Sequence, residues 1–444
     1  MKKLRLYQIK ALHYLRQHIH AALFVEMRMG KTICIIRHIK QLSGINRVLI
    51  VAPYSALAGW REELISENYQ EKEIVYLTGT KAKRLKLFNI SFGRCLDVSV
   101  KWFLINKEGF LVLPEITKIS WDVLILDESF IRNPQSKVTK FFCNNFRNVK
   151  HRYLLSGTPA PEGELDYFTQ LYFLDPTILG FKNYWEYRLR WFAQFGYDWQ
   201  IKPASRQILS QRLAKSCFFL QRNEVNLGGK QIIENRIIDL PSKFRNVYDK
   251  LEEDFILEYQ SIHKQTLYAG VKFGMLHQLC GGFAEKTMVS NHKIEVLKEL
   301  LGGELKGQQI VIWAWYVCEV EYLAKMLSCP GISGRIKPID RDKFRLGFQS
   351  KKYKYIVVQP EVWKFGTTLS AASTMIYYSL PEGYLTYQQS KDRALDLEKQ
   401  NSILILNLLV KDSVDEDSWE SLQRKEDRTS MMRSLIRGIQ KRQR

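Results

Sequence analysis

Lys31 and Thr32 close the run Glu26-Met27-Arg28-Met29-Gly30-Lys31-Thr32, set between an apolar stretch at 23–25 and a helical pattern from 33 to 40. At such a strand, loop and helix junction the backbone N–H groups and the positive helix end cradle phosphates. A lysine there reaches the β and γ phosphates, and a threonine hydroxyl ligates Mg²⁺. Met29, Gly30, Lys31 and Thr32 are therefore the expected nucleotide ligands. Val25 stands where GxxxxGK[ST] has its first glycine, so the motif is weak by itself. A second signal lies downstream, where the apolar run 123–126 ends in Asp127-Glu128-Ser129. Asp127 is placed to hold Mg²⁺ with Thr32, and Glu128 to orient and polarise an attacking water. Either acid alone would read as a solvated strand end. A third apolar strand ends in Ser156-Gly157-Thr158-Pro159, a turn that gains meaning only from following the other two.

The elements that must carry these residues are short buried strands alternating with helices. Apolar runs at 23–25, 48–51, 103–105, 123–126 and 153–155 predict a parallel sheet, with helical patterns at 6–16 and 32–41. Residues 1–175 form the expected first lobe. From 176 to 292 long polar and aromatic helical patterns predominate, as at 245–263 and 268–279, and predict a helical connecting region. Buried-strand runs return at 309–313, 355–358, 375–378 and 403–408, giving a second α/β lobe over 293–425 and a basic tail over 426–444. The fold class is α/β, with two parallel-sheet lobes and helical elaborations between them.

A chain of 444 residues supports about two to three domains. Its 67 Lys and Arg against 46 Asp and Glu leave a net charge of +21, enough to favour a polyanionic partner at low salt. The seven cysteines form no CxxC pair, which argues against a zinc knuckle or a disulfide framework. No apolar run approaches the roughly 20 residues of a membrane helix, and residues 1–20 lack a signal-peptide core. A cytoplasmic protein without membrane association is expected.

Taken in order, these residues resemble superfamily 2 helicases, specifically the Swi/Snf-type branch as it occurs in bacteriophages. Leu4-Arg5-Leu6-Tyr7-Gln8 is similar to the family's opening LRxYQ, which implies that Gln8 reads adenine; the resemblance also implies two RecA-like lobes. The run 27–32 is similar to the phage variant of the P-loop. Residues 49–55, with Trp60 and Glu63, resemble motif Ia, which implies a nucleic-acid contact near Ser55. Asn106-Lys107-Glu108 resembles the next such motif, through Lys107. Arg132 to Lys137 is similar to the branch's KNxxSK, bringing in Asn133 and Lys137. Phe130 departs from DEAH or DESH, where a histidine couples ATP to motif III.

In the second lobe, 311–313 resembles motif IV and 365–372 motif V, which implies that Thr367 and Thr368 touch the phosphate backbone. Residues 387–393 resemble the start of motif VI, QxxxRxxR, which implies that Gln389 and Arg393 face the nucleotide. The second arginine of that pattern is Asp396, leaving the role to Arg393 with Lys391 or Lys399 as substitutes. The resemblance implies an ATP- and Mg²⁺-dependent DNA helicase or translocase, monomeric and with little sequence preference, since phosphate contacts carry no sequence information. Phage relatives suggest forked or branched DNA in replication, recombination or repair. Alternatives are a duplex translocase that displaces bound proteins, an RNA helicase, and a nucleic-acid-binding protein with a degenerate ATPase. The aromatic and basic segment 181–199 reads either as a packed helix or as a surface for stacking unpaired bases. His277 and Cys280 have no partners at metal-ligand spacing and read as core residues.

Overall fold

The computed structural model describes residues 3–93, 101–161, 163–195, 198–221, 224–225, 230–261, 266–284, 286–363, 369–394 and 402–424. The chain forms two compact units, Met1–Leu227 and Gly228–Arg444.

In the first unit, helix α1 (Leu6–Arg16) precedes strand β1 (His20–Val25) and helix α2 (Lys31–Ile39). There follow β2 (Arg47–Ala52), α3 (Leu57–Ser66), β3 (Ile74–Leu77), α4 (Lys81–Gly93), β4 (Lys101–Asn106), α5 (Lys107–Leu111) and β5 (Val123–Asp127). Then come α6 (Lys137–Phe146), β6 (His151–Leu155), α7 (Tyr167–Leu174), α8 (Tyr184–Trp191), the hairpin β7 (Phe192–Phe195) and β8 (Asp198–Ile201), α9 (Pro203–Ser216) and β9 (Cys217–Leu220). Seven strands make one parallel sheet in the order β3-β4-β2-β5-β6-β1-β9. Its central strands are apolar on both sides because helices cover both faces. Alternate residues serve opposite cores: Phe24, Leu49 and Leu124 pack on one side, Leu23, Ile50 and Ile125 on the other.

The second unit opens with β10 (Gln231–Ile238), α10 (Ser242–Ser261) and α11 (Thr266–Cys280), then the short hairpin β11 (Phe283–Ala284) and β12 (Thr287–Met288). It continues with α12 (His292–Gly302), β13 (Ile310–Trp313), α13 (Val317–Met326), β14 (Gly331–Ile332), α14 (Pro338–Gln349) and β15 (Tyr355–Val358). It closes with β16 (Thr374–Tyr377), α15 (Tyr384–Lys391), β17 (Ile403–Val410) and α16 (Val414–Gln423). Six strands form a second parallel sheet, β10-β17-β16-β13-β15-β14.

The connecting region expected over 176–292 is divided between the units rather than standing apart. Its first half returns to the first sheet through β9, which pairs with β1 from Ala22–Cys217 to Val25–Leu220. Its second half begins with β10, which pairs with β17 along eight residues. Both strands escape the helical reading for physical reasons. β9 is only four residues long, and β10 is an edge strand with Glu234 and Asn235 exposed and Arg236 half-buried at its centre, so neither presents a buried apolar run. The helices expected at 245–263 and 268–279 are present as α10 and α11. The basic tail from 426 lies outside the described residues.

Candidate functional site

Parallel topology gathers the chemistry of the first unit at one sheet edge. β5, β6 and β1 are neighbours, and Leu155 pairs both with Leu23 and with Asp127. The loops after these three strands therefore emerge side by side at their carboxyl ends, where α/β sheets place ligands. The first is the phosphate loop. Gly30 caps α2 in the left-handed region at φ 79°, where an L side chain is strained. A Cβ there would also lie 2.2 Å from Gln8 Nε2. No side chain caps the first turn of α2, so its amides are available to an anion. Lys31 Nζ donates to the Val25 carbonyl at 2.8 Å and stands 3.9 Å from Glu128.

Gln8 reaches this loop from α1. Its Oε1 accepts from the Arg5 amide at 2.9 Å, and its Nε2 donates to the Met29 carbonyl at 3.3 Å. The structure thus brings Gln8, Met29 and Lys31 together around a small cavity that Tyr7, Leu220 and Phe218 also line, with Gly30 between Met29 and Lys31 in the chain.

The acidic pair is held from two directions. Trp60, buried on α3, donates its indole N–H to Asp127 Oδ2 at 2.8 Å. Burial and the neighbouring Glu128 charge raise the Asp127 carboxyl above its usual range, opposed by Lys31 and the Trp60 bond. Glu128 takes the left-handed conformation at φ 49°, a strained position for a non-glycine residue that turns the chain sharply at the strand end. Ser156 Oγ donates to Glu128 Oε2 at 3.3 Å and accepts from the Thr158 amide at 3.1 Å. A Cβ on Gly157 would come within 3.2 Å of the Met27 backbone nitrogen, a tight contact, so glycine favours the close approach of this turn to the phosphate loop. Arg132 and Gln170 fix the turn from behind, donating to the carbonyls of Thr158 and Pro159 at 2.9 and 2.7 Å.

Phe130 occupies the position of the family's coupling histidine and turns into the aromatic core, 6.0 Å from the Phe110 ring and 5.5 Å from that of Phe142. Contact between the acidic strand and the following turn is made by Ser156 with Glu128 instead. Sequence reading missed this pair, and it missed the Trp60 bond to Asp127, because hydrogen bonding between distant strand ends leaves no local pattern.

The residues expected to face nucleic acid follow the other half of the same edge, after β2, β4 and β5. Ser55 lies in a 3₁₀ turn, Tyr54–Ala56, beside the exposed Tyr54. Lys107 is exposed at the start of α5. That start is set by buried Arg84, unnoticed in the sequence, which donates to Asn106 Oδ1 at 3.0 Å while Asn106 Nδ2 donates to Glu108 at 2.7 Å. Asn133 accepts from the Gln135 amide at 2.8 Å, shaping the turn that leads to exposed Lys137 on α6.

In the second unit, buried Arg393 sits in a 3₁₀ turn, Asp392–Ala394, and its Nε donates to the Gln389 carbonyl at 3.0 Å. The Leu369 amide donates to the Arg393 carbonyl at 2.9 Å, which ties this turn to the stretch that begins at Leu369. Gln389 is buried with Oε1 unpartnered. Lys391 lies over the Tyr387 ring at 5.3 Å. Thr367, Thr368, Asp396 and Lys399 lie outside the described residues. No helix among the described residues is long and apolar enough to cross a membrane.

Residues 7–280 match the model of the SNF2-related domain, and residues 292–397 that of the helicase conserved C-terminal domain. The transcription regulatory protein SNF2 of Saccharomyces cerevisiae is 24% identical over 95% of this chain and 27% of its own length. The chromatin-remodeling ATPase INO80 of Neosartorya fischeri is 29% identical over 95% of this chain and 26% of its own. The chain thus spans about a quarter of the length of these relatives. Among solved structures, the Sulfolobus solfataricus SWI2/SNF2 ATPase core in complex with dsDNA aligns over 99% of this chain and 94% of that one, with 20% identity and a TM-score of 0.43.

Proposed function

The chain belongs to the SNF2-related helicase-family ATPases, and we propose that it hydrolyses ATP to move along DNA. The observation that carries this reading is the convergence at one sheet edge of Lys31, Glu128 held by Ser156, and Asp127 held by Trp60. The donor set fits Mg·ATP: uncapped helix amides and a lysine for phosphate oxygens, and a hydroxyl and a carboxylate, on Thr32 and Asp127, for a hard cation. When bound, Mg²⁺ neutralises charge on the β and γ phosphates. Gln8 orients the base side of the pocket. Glu128 accepts a hydrogen bond from the attacking water and draws its proton, while Lys31 stabilises charge on the phosphates. Gly157 keeps the turn after β6 against the loop, so movement of the phosphate loop is felt at Ser156.

DNA is the proposed track because net charge of +21 favours a polyanion and because the relatives are named for chromatin remodelling and transcription regulation. Ser55, Lys107, Asn133 and Lys137, with Thr367 and Thr368 of the second unit, are the proposed backbone contacts. The finer reading is a cytoplasmic phage enzyme acting as a monomer on forked or branched DNA in replication, recombination or repair, and it rests on the phage-like loop lacking the first glycine. The second reading, duplex translocation without strand separation, draws support from the remodelling names of the relatives.

ATP turnover measured alone and with single-stranded, duplex and forked DNA and RNA separates these readings, with Lys31→Ala as the inactive control. Stimulation by DNA with no turnover in the control is expected. Stronger stimulation by forks than by duplex of equal length favours the branched substrate, and equal stimulation favours duplex translocation. Turnover indifferent to every nucleic acid refutes the motor.

A further inference from the structure

The segment 181–199 offers both a packed helix and a base-stacking surface, and the structure gives each reading its own face. Phe181, Tyr187, Trp191 and Phe192 are buried in the first unit's core. On the opposite side of α8, Trp185, Arg188 and Leu189 recur at three- and four-residue spacing, so they share one surface, and exposed Lys182 lies just before the helix. Trp185 is 50% exposed and Leu189 65% exposed. The Arg188 guanidinium lies 3.9 Å over the Trp199 ring and 5.5 Å from the Trp185 ring, and its Nε is buried without a hydrogen-bond partner. Tyr184 braces Trp185 edge-on at 5.6 Å. The result is an indole held in place by its neighbours with much of its surface in water, which the core does not require.

Charge identifies the occupant. Lys182, Arg188 and Arg190 stand on or beside this face against a single acid, Glu186, and Lys202 joins them by donating to the Arg190 carbonyl at 2.9 Å, whereas Arg206 is paired with Glu164 and Arg212 packs over Trp191. Glu186 is engaged by Arg190 at 3.1 Å. A positive surface around a pre-ordered aromatic ring and a stacked guanidinium is the chemistry by which unpaired strands are held, since every base has a π face to stack and a phosphate to neutralise. Duplex DNA keeps its base faces inside the stack and would leave the indole unused.

We infer that the α8 face centred on Trp185 and Arg188 binds an unpaired DNA strand, one base stacking on Trp185 while the surrounding cations follow the phosphates. This rests on the reading of the chain as a DNA motor and adds to it a site that distinguishes single strand from duplex. Fluorescence anisotropy of the full chain with labelled oligo-dT and with a blunt duplex, without nucleotide and at fixed salt, tests it. Trp185→Ala should weaken oligo-dT binding by about 5- to 150-fold, the range of one lost base stack. Trp185→Tyr, which keeps a π face, should restore most of it. Duplex affinity and duplex-stimulated ATP turnover should stay near wild type in both. Undiminished oligo-dT binding in Trp185→Ala, as a protein-docking surface would give, overturns the inference, and so does an equal loss for duplex. Failure of the motor reading shows separately, as wild-type turnover that no DNA stimulates.

Discussion

Replacing Trp60 with phenylalanine isolates one bond of the nucleotide site. Trp60 is 2% exposed, and its indole N–H donates to Asp127 Oδ2 at 2.8 Å. Phenylalanine keeps the apolar contacts near the backbone but removes the donor and leaves a gap where the second ring packed. A hydrogen bond to a charged group contributes about 1.5–3 kcal/mol. Its loss lets burial and the Glu128 charge raise the Asp127 carboxyl further and frees its orientation. If that energy is what keeps Asp127 ready for a cation, the Mg²⁺ concentration for half-maximal turnover should rise by about 10- to 150-fold. Turnover should largely recover at high Mg²⁺. The assay is steady-state ATP hydrolysis across a Mg²⁺ titration, paired with thermal unfolding with and without MgADP, which reads binding independently of turnover. A folded Trp60→Phe variant whose Mg²⁺ dependence and MgADP-induced Tm shift match wild type would refute the reasoning. A drop in turnover by the same factor at every Mg²⁺ concentration would assign the bond to architecture alone.

Three further outcomes follow from the site and its supports. Glu128→Gln keeps an acceptor for Ser156 but removes the charge that draws a proton from water; equilibrium binding should show nucleotide retained while single-turnover hydrolysis falls by about 10²–10⁴-fold. Arg393→Ala should lower turnover by about 10³–10⁵-fold with a small change in nucleotide affinity, since an arginine finger acts on the transition state; turnover that survives assigns the role to Lys391 or Lys399. Mild acid should destabilise the fold through its buried histidines. Burial holds His38, bonded to the Tyr153 hydroxyl, and His292, bonded to the Cys280 carbonyl and Ser290, down to about 4. A histidine depressed in the native state contributes stability that is complete above its unfolded value and is lost as pH falls through about 6.5 towards 4, up to about 2 kcal/mol per residue at pH 5. Melting curves between pH 7.5 and 5 read this as a falling Tm, and a flat Tm contradicts it.

Central strands were legible in the sequence because burial on both faces writes them as unbroken apolar runs, as in Val48 to Val51 and Val123 to Leu126. Peripheral strands were not. β14 is two residues long, and β10 carries charge at its centre because water reaches it. The same limit separates the visible site residues from their supports. Lys31 and Asp127 stand in local motifs whose spacing is dictated by a strand end and a turn. Arg84 and the partnership of Trp60 with Asp127 depend on contacts across 22 and 67 residues, and contacts at that distance leave no period to read. Segment 181–199 was ambiguous for another reason: one helix uses aromatic residues on both sides, inward for packing and outward into water.

The substitution at Phe130 shows how a local departure from a family pattern is absorbed. A histidine at that position would link the acidic strand to the turn after β6 through a polar ring near the nucleotide. Phenylalanine cannot, and its half-buried ring packs instead against Phe110 and Phe142 at the margin of the aromatic core. The linking function does not vanish with the imidazole. Ser156 has the reach to bond Glu128 directly because Glu128 leaves its strand in the left-handed conformation, and because the Ser129 amide fastens to the Leu155 carbonyl at 3.2 Å, drawing the two strand ends together. A serine bond is shorter and less adaptable than one through a ring. In this chain the turn after β6 should therefore follow Glu128 closely, so that a change at the γ-phosphate end of the loop is passed through Ser156 and Gly157 rather than through the residue after the acidic pair.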